Sequence, residues 1–162
     1  MKDYISNKKG FTLIELLVAV LIVGILGMFA ISQYQKSVAR VELAEVITAT
    51  KTLKQAEERY YMIHDEYTKN LENLDMEIAN NGNVKCYVTV NQIECYNKHF
   101  GLLVYLSSSI AAAHTECVAN SATLASACES FLNGKAKIQP TFGSCTNINM
   151  YPCYVVETKT AL

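Results

Sequence analysis

Residues 11–31, FTLIELLVAVLIVGILGMFAI, constrain this chain more than any other stretch, because no charge follows Glu15 until Lys36. A helix rises about 1.5 Å per residue, so these twenty-one residues reach about 30 Å, the thickness of the hydrocarbon core of a bilayer. The preceding residues, Met1 to Gly10, are polar and carry Lys2, Lys8 and Lys9 against Asp3. That is a cytoplasmic flank by the positive-inside rule. The rest of the chain holds most of its 14 basic and 15 acidic residues, so it must satisfy two solvents. An ordinary secretory signal is the competing reading, with residues 16–29 as its apolar region and Ala30-Ile31-Ser32 as a small-x-small cleavage site that would leave Gln33 first. A carboxylate inside the insertion segment has no purpose in such a signal, and the apolar stretch is longer than one needs.

Glu15 is the anomaly. A carboxylate in a membrane helix costs about 2.5–3.5 kcal/mol on insertion scales, and such residues mark functional sites with a partner to be named. The alternative is a flanking charge one turn inside the span that snorkels to the interface. Gly24 and Gly27 each weaken a helix by about 1 kcal/mol relative to alanine, and close helix packing is one reason to keep them.

The run KKGFTLIELLVAVLIVGIL resembles the leader junction and membrane helix shared by type IV pilins, the pseudopilins of type II secretion and competence pseudopilins. It has a short basic leader, Gly10 then Phe11, a glutamate four residues after the phenylalanine, and an aliphatic helix. The resemblance implies processing by a prepilin peptidase at Gly10–Phe11 and methylation of the new Phe11 amine. Residues 1–10 would then be a leader and the mature chain would run from Phe11 to Leu162. It also supplies Glu15 with a partner, the cationic Phe11 amine of a neighbouring subunit, whose pairing would neutralise both charges and fix the axial register between helices. In the family the helix can unwind between a glycine near Gly24 and a following proline. Here Ser32 stands where pilins usually have that proline, so this local melting is not carried over.

After Ile31 no glycine or proline occurs before Gly82, so one helix is expected from about Thr12 to Ile63. Val46, Ala49, Leu53, Ala56, Tyr60 and Ile63 recur at spacings of three and four and would form its buried face. Residues 11–31 would be the transmembrane or filament-core part, and residues 64–162 a globular head. Tyr60, Tyr61 and Tyr67 are expected to pack on that head as aromatic core. Asp65, Glu66, Glu72, Asp75 and Glu77 lack the order of a calcium loop and read as a solvated face.

From Val84 the pattern changes to strands, VKCYVTVNQIECY and then FGLLVYL at Phe100–Leu106. A turn at Val90-Asn91 sets Val88 opposite Ile93 and Cys86 opposite Cys95, which permits a cross-strand disulfide. A turn at Asn91-Gln92 would instead set Cys86 opposite Asn97. Asn120 or Ser121 can cap a short helix whose Leu124, Ala127, Cys128 and Phe131 share a face and which Asn133-Gly134 ends. The Cys-helix-Cys element resembles a feature of some pilin heads, which implies Cys117–Cys128 as a pair. Cys145 and Cys153 remain, in a loop-rich end with Pro140, Gly143 and Pro152 before the strand-like CYVVETK. An even count of six cysteines, none at CxxC spacing, fits disulfides in an oxidising compartment rather than zinc or redox motifs.

A formal net charge of −1 without a basic cluster beyond the N-terminus gives no footprint for nucleic acid. His64, His99 and His114 form no metal or catalytic spacing, and a Cys117–His114 nucleophile is set aside in favour of a disulfide beside an exposed loop histidine. No catalytic residue, metal or cofactor is expected. The fold expected is α+β, a long helix whose C-terminal half packs on an antiparallel sheet of three to five strands. The function expected is that of a pilin, a non-enzymatic filament subunit that partners with itself or other pilins, a prepilin peptidase, an inner-membrane assembly platform and, before assembly, the lipid bilayer. It would sit in the inner membrane with its head outside the cytoplasm and then in an extracellular filament. The alternative within the family is a pseudopilin, and outside it a membrane-anchored or secreted disulfide-rich binding domain.

Overall fold

The computed structural model describes residues 10–76, 82–89, 91–106, 114–138 and 153–158, without the side chain of Ser32. Residues 1–9 of the expected leader, Glu77, Val90, Pro140, Gly143, Cys145 and Pro152 lie outside them. Compactness divides the chain after Ser37 into residues 1–37 and 38–162, and each unit has its own organisation. Helix α1, Leu13–His64, contributes to both.

In the first unit α1 is an apolar, exposed cylinder. Leu13, Leu17, Leu21, Ile25 and Phe29 are all exposed, as are the aliphatic residues between them. Its most apolar eighteen residues have a mean hydropathy of 2.8, and by length and composition the helix can cross a membrane. A Cβ built on Gly24 or Gly27 would meet nothing within 4 Å, so nothing within the subunit requires a glycine at either place.

The second unit is two-layered. Six antiparallel strands, β1 Lys85–Thr89, β2 Gln92–Tyr96, β3 Phe100–Tyr105, β4 His114–Ala119, β5 Lys137–Ile138 and β6 Tyr154–Thr158, lie in the order β1-β2-β3-β4-β6-β5. The first hairpin sets Cys86 opposite Cys95 and Val88 opposite Ile93. Its alternating residues Cys86, Val88, Ile93 and Cys95 form a core with Phe100, Leu102 and Val104 and with the α1 residues Ala39, Leu43, Val46, Leu53 and Ala56. These helix positions recur at three and four residues because only one face of α1 meets the sheet. Helix α2, Ala122–Leu132, adds Ala125, Ala127 and Cys128 to the same core, with Leu124 and Phe131 half-buried beside them. The Ser121 hydroxyl caps α2 by accepting from the Leu124 amide at 3.3 Å. Asn133 ends it in the left-handed region, and a Cβ on Gly134 would stand 2.9 Å from Val156 Cγ1.

Several sequence expectations need correction. The sheet has six strands rather than three to five, because His114–Ala119 is an inner strand and Lys137–Ile138 adds a short edge. His114 is therefore no exposed loop residue: it opens β4, half-buried, with its ring stacked on Tyr105 at 4.0 Å. Ile63 is 78% exposed, since the buried stripe of α1 ends a turn earlier, and Tyr61 is also exposed, stacking on Tyr67 at 4.6 Å. Tyr60 and Tyr67 do pack against the core.

The turn between β2 and β3 fastens the sheet to α1. Asn97 Oδ1 accepts from the amides of His99 at 2.9 Å and Phe100 at 2.7 Å, while its Nδ2 donates to the Glu42 carbonyl at 3.1 Å. His99 Nδ1 lies 2.7 Å from Glu42 Oε2. Replacing Asn97 by alanine strands the buried Phe100 amide, and is expected to cost about 2 kcal/mol. A chemical-denaturation midpoint within error of the parent chain would contradict that role.

Candidate functional site at the amino end of the long helix

The first turn of α1 holds Glu15 in a reciprocal arrangement with Thr12. Glu15 Oε2 accepts from the Thr12 amide at 2.9 Å and from the Thr12 hydroxyl at 2.8 Å. The Glu15 amide donates back to Thr12 Oγ1 at 3.3 Å. This is a capping box, in which the side chains at the cap and three residues later each satisfy an orphan backbone N–H. The sequence Thr-Leu-Ile-Glu at 12–15 carries its T-x-x-E spacing. Thr12 was not singled out from the sequence, although that signal was available.

The consequence is directional. The two Thr12 bonds fold the carboxylate back toward the amino end of the helix, which is also the positive end of its dipole. Oε1 makes no hydrogen bond among the described residues, so half of the carboxylate remains open to an incoming donor. Glu15 also lines a shallow groove together with the apolar residues Ile14, Val18, Ala19 and Ile22. Phe11 is 87% exposed and Gly10 has no neighbour near its Cα, so the 10–11 peptide bond stands clear of the helix. The geometry offers an anion with one free lobe on an apolar surface, next to a bond that an enzyme can reach.

The model of the prokaryotic N-terminal methylation motif matches residues 5–31, which contain Gly10, Phe11, Thr12 and Glu15. The chain is 38% identical over 78 residues to a fimbrial protein of Neisseria meningitidis serogroup A, covering 48% of this chain and 45% of that one. The amino-terminal part of the chain is thus similar to type IV pilins. It is also 41% identical over 63 residues to the type IV major pilin protein PilE1 of Neisseria gonorrhoeae, covering 39% of this chain and 38% of that pilin. With the type IV major fimbrial protein FimA of Dichelobacter nodosus the identity is 47% over 51 residues, 32% of this chain and 33% of the relative. Each match thus spans less than half the length of the pilin concerned. No solved structure matches the chain.

The cysteines stand apart from the helix terminus in sequence. Cys86 and Cys95 are joined across the first hairpin with Cα atoms 4.1 Å apart, and Cys117 of β4 is joined to Cys128 of α2 at 5.7 Å. Cys153 is buried and disulfide-bonded, while Cys145 lies outside the described residues. The carboxylates considered for calcium are dispersed: Asp75 takes a bidentate pair of bonds from Arg59, at 2.7 and 3.1 Å. Those bonds hold the Asp75 carboxyl below its ordinary range. Among the described residues no group of three His, Cys, Asp or Glu side chains is placed to hold a metal ion.

Proposed function

We propose that this chain is the structural subunit of a type IV pilus-like surface filament. A prepilin peptidase cleaves the Gly10–Phe11 bond and methylates the Phe11 amine, and an inner-membrane assembly platform moves the subunit from the bilayer into the growing fibre. Residues 11–31 bundle with those of other copies, or of other pilins, in the filament centre. Residues 64–162 form the head outside. The observation that carries this reading is Glu15, held by Thr12 with one oxygen open on an apolar, exposed stretch of α1.

Burial of such a carboxylate is unfavourable alone, and a cationic amine from the next subunit offsets it while setting the helix register. Because Glu15 lies four residues beyond Phe11, pairing between copies displaces neighbouring helices by about one turn, near 6 Å along the axis. The names of the relatives, a fimbrial protein and major pilins, favour a pilin over a secretion pseudopilin. Fibres sheared from cells are expected to contain a chain that begins with N-methyl-Phe11, as read by mass spectrometry of its amino-terminal peptide. A periplasmic, unpolymerised protein beginning at Gln33 would refute the reading.

A further inference from the structure

We propose that Glu57 is a proton-operated latch for the loop after α1, holding residues 65–74 closed while its carboxyl is neutral and releasing them when it ionises. Glu57 belongs to the buried stripe of α1, with no accessible surface, between the core residues Leu53 and Ala56 and the start of the loop. Its Oε2 accepts from the backbone amide of Thr68 at 3.1 Å, while Oε1 is buried without a hydrogen-bond partner. Thr68 is itself the hub of the loop. Its hydroxyl accepts from the Asn70 amide at 3.1 Å and from Asn73 Nδ2 at 3.0 Å, so the carboxyl of Glu57 fastens a small hydrogen-bonded unit to the helix.

The two protonation states have different consequences. In the neutral form the proton resides on Oε1 and Oε2 keeps the Thr68 amide, so one O–H is left unpaired. The ionised form leaves a full charge with one neutral donor in an apolar surround, which costs more. No Lys, Arg or His stands within ion-pair distance of Glu57 among the described residues. The titratable group that meets it from the loop is Tyr67, on which Glu58 and Tyr61 of α1 also act, and all of these are acids. Lys54 on the same helix is bonded to Glu58 at 3.3 Å. Burial accordingly pushes the Glu57 carboxyl above its ordinary 4.5, and the Thr68 amide opposes that shift less strongly.

An ionised Glu57 reaches water when the loop that covers it lifts. The Arg59–Asp75 pair and the Tyr61–Tyr67 stack mark the limits of the lifted segment, the first as its fixed far end and the second as a contact that must part. Since the closed form binds the proton more tightly, closure is fully favoured below the ordinary carboxyl value. It weakens as pH rises, by at most about tenfold per pH unit, until the raised value is passed, and is constant beyond. The head therefore has a surface loop that responds to pH.

The test is hydrogen exchange of the Thr68 amide in the full chain in detergent micelles, from pH 4 to 8 and corrected for intrinsic exchange. Protection of residues 65–74 is expected to fall about tenfold or more with rising pH and then level off, while the amides of β4 stay protected. In Glu57→Gln, which keeps an acceptor for Thr68, that dependence should vanish. A flat profile in the parent chain, or the same slope in Glu57→Gln, overturns the latch. Should Glu57→Gln fail to fold, the unmodified chain still decides: the carboxyl carbon resonance of Glu57 must titrate where the loss of Thr68 protection levels off, and a resonance that titrates at the ordinary carboxyl value overturns it equally.

Discussion

Glu15→Gln is expected to lower the amount of surface filament by about a hundredfold while leaving the subunit folded and inserted. Glutamine is as good as glutamate at the third position of a capping box, so the bonds with Thr12 survive in kind. What disappears is the charge that meets the Phe11 amine. Removing one partner of a buried ion pair costs about 3–5 kcal/mol, and every 1.4 kcal/mol is tenfold in an equilibrium, so loss at each added subunit stops growth early. The measurement is the ratio of sheared to cell-associated subunit. Processing at Gly10–Phe11 should proceed in the variant, which separates an assembly defect from a cleavage defect. Filament yield equal to the parent would remove the pairing role from Glu15.

Loss of the Cys117–Cys128 disulfide is expected to destabilise the head by about 3 kcal/mol, the loop-entropy value for a separation of 11 residues. Both sulfurs are fully buried, and the bond fastens α2 to inner strand β4. The double alanine variant should unfold at lower denaturant concentration. An unchanged midpoint would mean that the packing of Ala125 and Ala127 holds α2 without the crosslink.

Much of this architecture was legible because local signals agreed with one another. Helix α1 lacks any stop residue, the β1–β2 register is one of the two that the alternation of Cys86, Val88, Ile93 and Cys95 allowed, and α2 is bracketed by Ser121 and Asn133. Strand β4 was illegible for a physical reason. Its Cys117 and Ala119 face the helices while Glu116 and Val118 face a second cluster with Leu103, Cys153 and Val155. Burial on both faces erases the period-two pattern on which strand recognition depends. A two-residue edge such as β5 has no pattern to read.

The polar members of buried stripes were equally hidden. Thr50 and Glu57 occupy core positions of α1, where hydropathy assigns them to solvent, because Thr50 returns its hydroxyl to the Val46 carbonyl and Glu57 serves the Thr68 loop. At the candidate site Gly10, Phe11 and Glu15 stood out from sequence, whereas Thr12 did not. Its part lies in where it aims the carboxylate, and only the folded turn displays that.

The central claim is that a buried pair between copies, Phe11 amine to Glu15 carboxylate, builds the fibre. Electron cryomicroscopy of sheared filaments tests it most directly. The account predicts apolar helices at the centre, with the Phe11 nitrogen of one copy within about 4 Å of a Glu15 oxygen of the next. Fibres whose cores lack residues 11–31, or in which the Glu15 carboxylate faces solvent or its own chain alone, would contradict it.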